Sequence, residues 1–248
     1  LHKDGVKVIA DVVTNHVMNC ENKADKEKIA SDLLQYVRRK NSITNLINTT
    51  DNSRDAQTQN DLGGTLPDLN TGDTGYQNYV INNLINPLIN CGVDGFRFDA
   101  AKHIETPSDS SSQYWPKVIG AIKNGKSDAF IYGEVLDNAG KFNISAYTQY
   151  MSVTDFSYGN KLRAALSSKN ASYIVDYGYT GSNKNQNVLW LESHDNFCEG
   201  VSLSLTKAQQ IVGWAAIGAR ADAPALFFVR PKHEALDGSG FIKYDELM

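Results

Sequence analysis

The sequence predicts an α/β fold, a (β/α)8 TIM barrel that is incomplete because six strands, not eight, can be counted. Short apolar runs alternate with helical patterns, which is the order of a parallel sheet built from βαβ units. The polar residues of the runs fall at their C-terminal ends, where the active sites of such barrels lie. No glycine-rich phosphate loop follows any run, so the sequence favours the barrel over a doubly wound sheet.

Each of the six predicted strands is an apolar segment followed by a polar cluster, and the fourth has the weakest pattern. In chain order the strands are predicted within residues 6–16, 92–103, 129–136, 150–156, 187–196 and 223–231.

Helical patterns separate these strands. They cover residues 76–90, 113–124, 159–168 and 206–219, and Thr206 has the position and residue type of an N-cap for the last of them.

Residues 17–75 break this alternation. The segment is rich in Asn, Asp, Thr and Ser, contains one helical pattern at residues 26–40, and is far longer than an ordinary βα loop. We therefore expect three parts: residues 1–16 with a barrel strand, residues 17–75 as a small irregular inserted domain, and residues 76–248 with the rest of the barrel.

Composition excludes several classes of protein. The 248 residues carry a net charge of −4, which argues against a nucleic-acid partner. No apolar run approaches the roughly 18 residues that span a membrane. The three cysteines, Cys20, Cys91 and Cys198, are widely spaced and odd in number, so they form neither a zinc cluster nor a disulfide framework. Three buried or free thiols are the favoured interpretation, and one disulfide pair is the alternative.

The stretch "VDGFRFDA" places charge at the end of a buried strand. Because side chains alternate between the two faces, Arg97 and Asp99 share one face while Phe96 and Phe98 share the other. Packing of the two Phe rings against the helix layer directs the charged pair into the barrel mouth. An internal ion pair that only fills the barrel is the structural alternative.

Two further carboxylates end other strands, Glu134 after "AFIYG" and Asp195 after "VLWLESH". If the three carboxylates converge, like charges raise one another's pKa values, so one group can hold a proton while another is ionised. A carboxylic acid beside a carboxylate is the equipment for cleaving glycosidic bonds.

Five short motifs together resemble the α-amylase family of glycoside hydrolases, family 13, and most closely its bacterial α-amylases. They are "DVVTNH" (11–16), "LPDLN" (66–70), "GFRFDAAKH" (95–103), "GEVL" (133–136) and "ESHDN" (192–196). The resemblance spans residues 6 to about 231. It implies that the chain is a fragment holding barrel strands 3 to 8, without the first two strands and without the C-terminal β-sandwich.

The resemblance implies retaining hydrolysis of α-1,4-glucosidic bonds within starch and related α-glucans. Asp99 would be the nucleophile, Glu134 the general acid and then base, and Asp195 the carboxylate that stabilises the distorted sugar. Nucleophile and acid/base would lie about 5–5.5 Å apart.

Other site residues are also implied by the resemblance. They are Arg97, which would hold Asp99 ionised; Asp11, which would support Arg97; His16 and His194, which would hydrogen-bond sugar hydroxyls; and Lys102 and His103 on the leaving-group side.

A structural Ca²⁺ between the barrel and the insertion is implied as well. Asn15 and Asp68 would supply side-chain oxygens, and His103 and Thr58 would supply backbone oxygens, which suits the preference of Ca²⁺ for oxygen ligands. From the local sequence alone, Asn15 and Asp68 also fit turn or capping roles.

Two alternatives remain open, a transglycosylase of the same family and a non-catalytic amylase-like binding protein. The expected partner is starch or a maltooligosaccharide, with no nucleic acid and no membrane. The resemblance further implies a secreted enzyme that is monomeric at full length.

Overall fold

The computed structural model describes residues 1–18, 29–38, 53–63, 66–136, 143–174, 183–220 and 223–230. Contacts divide the chain into two compact units, Leu1–Val153 and Thr154–Met248. Cys20 and Pro231 lie outside the described residues.

The six predicted strands are present in the described residues, each shorter than its apolar segment. They are β1 (Ile9–Val12), β2 (Gly95–Phe98), β3 (Phe130–Gly133), β4 (Ser152–Thr154), β5 (Asn187–Trp190) and β6 (Ala225–Leu226). In the first unit β1, β2, β3 and β4 pair in that order, all parallel. In the second unit β5 pairs in parallel with β6.

Nine α-helices occur within the described ranges. They are α1 (Ser31–Leu34), α2 (Arg54–Gln59), α3 (Thr74–Val80), α4 (Asn86–Asn90), α5 (Tyr114–Gly125), α6 (Ile144–Thr148), α7 (Phe156–Ser168), α8 (His194–Cys198) and α9 (Lys207–Gly218). None of these helices has both the length and the apolar character that a bilayer-crossing segment needs.

The core of the first unit forms where the Phe residues of β2 meet α5. Phe96 and Phe98 are fully buried, and the Phe98 ring packs edge-on against Trp115 at 5.3 Å. Each such ring contributes about 1.5–3 kcal/mol by its burial. The predicted division of β2 into an apolar face and a charged face is therefore confirmed.

Gly95 begins β2 because nothing larger fits. A Cβ at this position would lie 2.3 Å from the carbonyl oxygen of Phe130 on β3. The glycine lets the backbones of β2 and β3 approach closely, as their pairing up to the C-terminal ends requires.

Thr14, just after β1, is held by two buried tyrosines. Tyr114 donates its hydroxyl to Thr14 Oγ1 at 2.6 Å, and Tyr76 donates to the Thr14 carbonyl oxygen at 2.7 Å. These bonds fix the segment that leads to Asn15 and His16.

The predicted helix at 76–90 is interrupted by a π-helical turn. The helical residues run from Thr74, with Asp73 as the N-cap, and Ile81–Ile85 forms the π turn before α4. Pro87 has no N–H to donate to the preceding turn, which explains the wider turn in front of it.

The predicted helix at 26–40 is shorter than expected in its described part, residues 29–38. Only α1 is α-helical there, and Val37 forms a β-bridge with Leu69. The Arg38 N–H donates to the Asp68 carbonyl at 2.9 Å, and the Asn70 N–H donates to the Tyr36 carbonyl at 2.8 Å. Pairing with residues 68–70 thus replaces the i→i−4 bonds that a longer helix needs.

Helix α9 of the second unit begins as predicted. The Thr206 hydroxyl accepts from the Gln209 N–H, while the Gln209 side chain accepts from the Thr206 N–H, which completes a capping box. Helix α7 begins three residues before its predicted start, because Asp155 caps it by accepting from the Tyr158 N–H.

Asp94 ties the start of β2 to its surroundings and makes stability depend on pH. Its Oδ2 accepts from the Val8 N–H at 2.9 Å and lies 2.8 Å from His2 Nε2. The Val8 hydrogen bond lowers the pKa of Asp94 to about 2, helped by His2 and Lys126 against the opposing effect of desolvation.

We expect Asp94→Asn to lower the thermal midpoint at pH 7. Because the pKa in the folded state lies below the unfolded value of about 3.9, the ionised group stabilises the fold above that pH and loses its effect as the pH falls towards 2. Thermal unfolding of both proteins should therefore give a difference that narrows below pH 4. Asp4→Asn, at an exposed carboxylate, is the control, and a pH-independent difference would contradict the prediction.

Candidate active site

Arg97 lies among three carboxylates at the C-terminal ends of β1, β2 and β3. Its Nη1 donates to Asp11 Oδ1 at 2.7 Å and to Asp99 Oδ1 at 2.9 Å. Its Nη2 lies 3.3 Å from Glu134 Oε2. One guanidinium thus contacts both predicted catalytic carboxylates of this unit and the predicted supporting carboxylate.

The strand register explains this cluster. Asp11 pairs with Arg97 across β1 and β2, and Arg97 pairs with Tyr132 across β2 and β3. Because side chains alternate along a strand, Asp99 and Glu134 return to the same face two residues later. Burial lowers the pKa of Arg97, but the hydrogen bond to Asp11 and the nearby carboxylates raise it well above its usual value, so the cation is permanent.

The two catalytic candidates are partly accessible, with 22% of the Asp99 side chain and 16% of the Glu134 side chain exposed. Ala100 follows Asp99 with a left-handed backbone, φ 47° and ψ 31°, which is costly for a residue with a Cβ. Its N–H donates to Glu134 Oε2 at 3.0 Å. The tight turn after Asp99 therefore also positions Glu134.

His16 approaches the same carboxylates. Its Nε2 lies 3.9 Å from Asp99 Oδ2. Burial lowers the pKa of His16, although the charge of Asp99 opposes this effect. A neutral imidazole beside Asp99 suits hydrogen bonding to a sugar hydroxyl.

Lys102 and His103 lie in the 3₁₀ turn Ala101–His103 that follows β2. His103 Nδ1 lies 2.9 Å from the Gln57 carbonyl oxygen, which can only accept, so this nitrogen carries the proton. Burial lowers the pKa of His103 to about 4, so its ring is neutral at pH 7. The contact attaches the turn to helix α2.

The second unit holds Asp195 and His194 at the start of α8, which Ser193 caps. Half of the Asp195 side chain is exposed, and its Oδ1 lies 3.4 Å from His194 Nε2. The prediction that Asp195 joins Asp99 and Glu134 stays a prediction. Buried Glu192, two residues after β5, accepts from Arg230 at 2.7 Å and fixes the start of this segment.

The residues predicted to hold Ca²⁺ lie in the first unit. Across the described ranges no group of three or more His, Cys, Asp or Glu side chains could hold a metal ion, so such a site would combine the Asp68 carboxyl with amide and carbonyl oxygens. Asn15 is 1% exposed, and its Oδ1 has no hydrogen-bond donor. An antiparallel bridge joins His16 with Asp68, and the Leu69 N–H donates to the Asn15 carbonyl at 2.8 Å.

Asn15 and Asp68 thus fit a hard cation. A buried amide oxygen without a donor costs about 1–3 kcal/mol, and a cation would remove that cost. Burial raises the pKa of Asp68 to about 8 even though Arg38 Nε donates to it at 2.7 Å. Thr58 is buried in α2, and the carbonyl of Gln57 beside it contacts the His103 ring.

A family model described as the α-amylase catalytic domain matches residues 1–198. This is well over half of the chain. The chain belongs to the α-amylase family.

Two curated relatives show how much of an amylase the chain represents. It is 37% identical over 234 residues to an α-amylase of Clostridium acetobutylicum, covering 92% of this chain and 30% of that protein. It is 32% identical over 270 residues to an α-amylase of Butyrivibrio fibrisolvens, covering 94% and 27%. The chain therefore spans less than a third of the length of these relatives.

Solved structures confirm the fold of this α-amylase family chain as that of an incomplete barrel. A cyclomaltodextrin glucanotransferase with a three-domain ABC distribution has a TM-score of 0.69 at 19% identity, covering 92% of this chain and 48% of that one. An α-amylase of Geobacillus thermoleovorans, complexed with acarbose, has a TM-score of 0.63 at 18% identity, covering 90% and 49%.

Sequence reasoning missed two arginines of this amylase-family site. Arg54, in α2, donates to backbone carbonyls of the turn that holds Lys102 and His103. Arg38 pairs with Asp68. Each lies at least 30 residues from its partner, and an Arg in a polar segment is ordinarily solvated, so no local pattern indicates either contact.

Proposed function

We propose that the chain carries the catalytic core of a retaining endo-acting α-amylase that hydrolyses α-1,4-glucosidic bonds in starch and related α-glucans. The observation that carries this proposal is the contact of Arg97 with both Asp99 and Glu134 at the ends of adjacent parallel strands. Family membership supports the same substrate class.

In the first step an Asp99 oxygen forms a bond to the anomeric carbon while the bond from that carbon to the glycosidic oxygen breaks. Glu134 transfers its proton to the departing oxygen, so the leaving sugar is released with a free hydroxyl. Arg97 orients the attacking carboxylate through its 2.9 Å contact and places a positive charge beside it.

In the second step Glu134, now ionised, removes a proton from a water molecule. The water oxygen bonds to the anomeric carbon, the ester bond to Asp99 breaks, and the configuration of the original α-linkage is restored. His16 lies beside Asp99 and would bind a hydroxyl of the same sugar. Asp195 and His194 are proposed to stabilise the distorted sugar, as the resemblance implies.

Starch incubated with the chain tests this proposal. We expect a rapid loss of iodine staining, as internal cleavage requires, and products whose new reducing ends are first formed as the α-anomer, observed by proton NMR before mutarotation. Cellulose, with β-1,4 bonds, is the control substrate. β-Anomeric products would exclude a retaining mechanism, and transfer to added sugar without net hydrolysis would favour a transglycosylase.

We also propose that Ca²⁺ binds near Asn15 and Asp68. The support is the Asn15 amide oxygen, which is buried without a donor, and the buried Asp68 carboxyl group. The pKa of Asp68 stays raised although Arg38 pairs with it, so a further cation would stabilise its negative charge. Bound there, the ion would supply positive charge that joins residues 66–70 to the end of β1. Its role would be structural.

Calcium should therefore raise the thermal midpoint of the chain relative to a chelator. At a free concentration about 100 times Kd, the free energy of unfolding rises by about 2.7 kcal/mol. Asn15→Leu should abolish this calcium effect, because it removes the amide oxygen and keeps the side-chain size. Equal midpoints of the parent chain in calcium and in chelator would exclude the site.

We also propose, from the resemblance to the family alone, that the enzyme is secreted and acts outside the cell. A monomeric full-length protein remains the expectation from the resemblance.

A further inference from the structure

Arg54, at the start of α2, is nearly buried, with 15% of its side chain exposed. Its Nη1 donates to the Lys102 carbonyl at 2.5 Å, and its Nη2 donates to the Ile104 carbonyl at 3.3 Å and to Asp109 Oδ2 at 2.8 Å. The two carbonyl groups lie on either side of His103. A single planar guanidinium thus holds the backbone around that residue.

The opposite side of this turn is held by the end of β3. The Lys102 N–H donates to the Glu134 carbonyl at 3.2 Å, and the His103 N–H donates to the Ala100 carbonyl at 2.8 Å. The turn begins at the left-handed Ala100 directly after Asp99. Residues 100–104 are therefore fixed between the end of β3, where Glu134 lies, and Arg54.

Asp109 supplies the negative charge that offsets the burial of the Arg54 guanidinium. Its Oδ2 accepts from Arg54 and from the Thr106 N–H, the latter at 2.8 Å. Tyr147 adds a hydroxyl that donates to the Ile104 carbonyl at 2.9 Å, and its ring lies 5.7 Å from the Arg54 guanidinium carbon. With this many partners the Arg54 guanidinium is held in one conformation, whereas a solvated arginine samples many.

Helix α2 contacts His103 a second time, through the Gln57 carbonyl at 2.9 Å from Nδ1. Because the Gln57 carbonyl oxygen can only accept, Nδ1 is the donor in this contact. One short helix therefore holds both the backbone around His103 and the orientation of its ring.

We propose that Arg54 is a positioning residue for the leaving-group side of the cleavage site. Arg54 acts through Lys102 and His103, which would contact the departing sugar. This proposal therefore rests on the proposed function. Arg54 does not touch the reacting bond.

Hydrogen exchange tests the positioning without any turnover. In Arg54→Met, the amides of Lys102, His103 and Ile104 should exchange at least about tenfold faster, since bonds from a charged donor to this turn are lost. The amides of β2 and β3 should be unchanged. Arg220→Met is the matched control, because Arg220 also donates to a backbone carbonyl, that of Ile174 at 2.9 Å, in the second unit. Unchanged exchange at residues 102–104, or faster exchange throughout the first unit, would overturn the proposal.

Kinetics with two leaving groups give the second readout. Arg54→Met should lower kcat/KM for maltooligosaccharides, which lose a sugar, about tenfold more than for a nitrophenyl maltooligosaccharide, which loses a phenolate. Arg54→Lys keeps the charge near Asp109 but cannot bridge two carbonyls, so it should restore only part of this loss. An equal loss on both substrates would overturn the positioning role. If the parent chain cleaved neither substrate, the proposed function would fail, while the exchange experiment would still decide whether Arg54 fixes the turn.

Discussion

Asp99→Asn is expected to remove starch hydrolysis, by about 10⁴-fold or more, which is the scale of losing a covalent nucleophile. The amide has nearly the shape of the carboxylate and can still accept from Arg97 Nη1, so the cluster should keep its geometry. It cannot form the ester bond to the anomeric carbon. The rate of reducing-sugar release, measured with the far-UV circular dichroism of both proteins, checks the prediction.

Asp128→Asn is the matched control for this substitution. Asp128 is an exposed carboxylate beside Lys126 and Lys7, so the same chemical change there should leave the rate unchanged. If Asp99→Asn were as active as the parent chain, the proposed mechanism would be wrong.

A small anion can distinguish a nucleophile from an acid/base group. In Asp99→Gly, added azide should take the place of the missing carboxylate and attack the anomeric carbon of an activated α-glycosyl fluoride. Attack from the face opposite the departing fluoride gives a β-glycosyl azide. Rescue that gave an α-glycosyl azide would assign Asp99 to the acid/base side instead.

Arg97→Met is expected to have the second largest effect, a loss of about 10²–10³-fold in kcat, comparable with removing a preorganised charged donor at other active sites. Three carboxylates then share the ends of β1, β2 and β3 without their common cation. Their mutual repulsion favours proton uptake, so the acidic limb of the pH–activity profile should move to higher pH.

Arg97→Lys separates charge from geometry. One ammonium group cannot reproduce the fork that reaches Asp11, Asp99 and Glu134, so the rate should recover only in part while the acidic limb returns towards its original position. A pH profile of Arg97→Met identical to that of the parent would contradict the role assigned to the cation.

Much of the first unit could be predicted because its signals are local. The alternation of Phe96, Arg97, Phe98 and Asp99 determines which side chains are buried and which reach the strand end, and the structure confirms it. In the second unit, the cap at Thr206 was predictable for the same reason, since both partners of its capping box lie within one helical turn.

The predicted helix at residues 26–40 shows where local signals fail. Its pattern is helical, yet after Leu34 the backbones of Tyr36 and Arg38 bond to those of Asn70 and Asp68. Intrinsic helix preference amounts to only tenths of a kcal/mol per residue, so tertiary pairing overrides it.

The sequence by itself determined the strands, their polar C-terminal ends and the residue types of the candidate catalytic cluster, because each of these depends on neighbours a few positions away. Only the tertiary structure decided that Arg97 is shared by Asp11, Asp99 and Glu134, that Ala100 is left-handed, and that Arg54 holds the turn around His103. These features join residues up to 86 positions apart, as Asp11 and Arg97 are. Contacts at such separations depend on how the whole chain packs, and packing leaves no short pattern in the sequence.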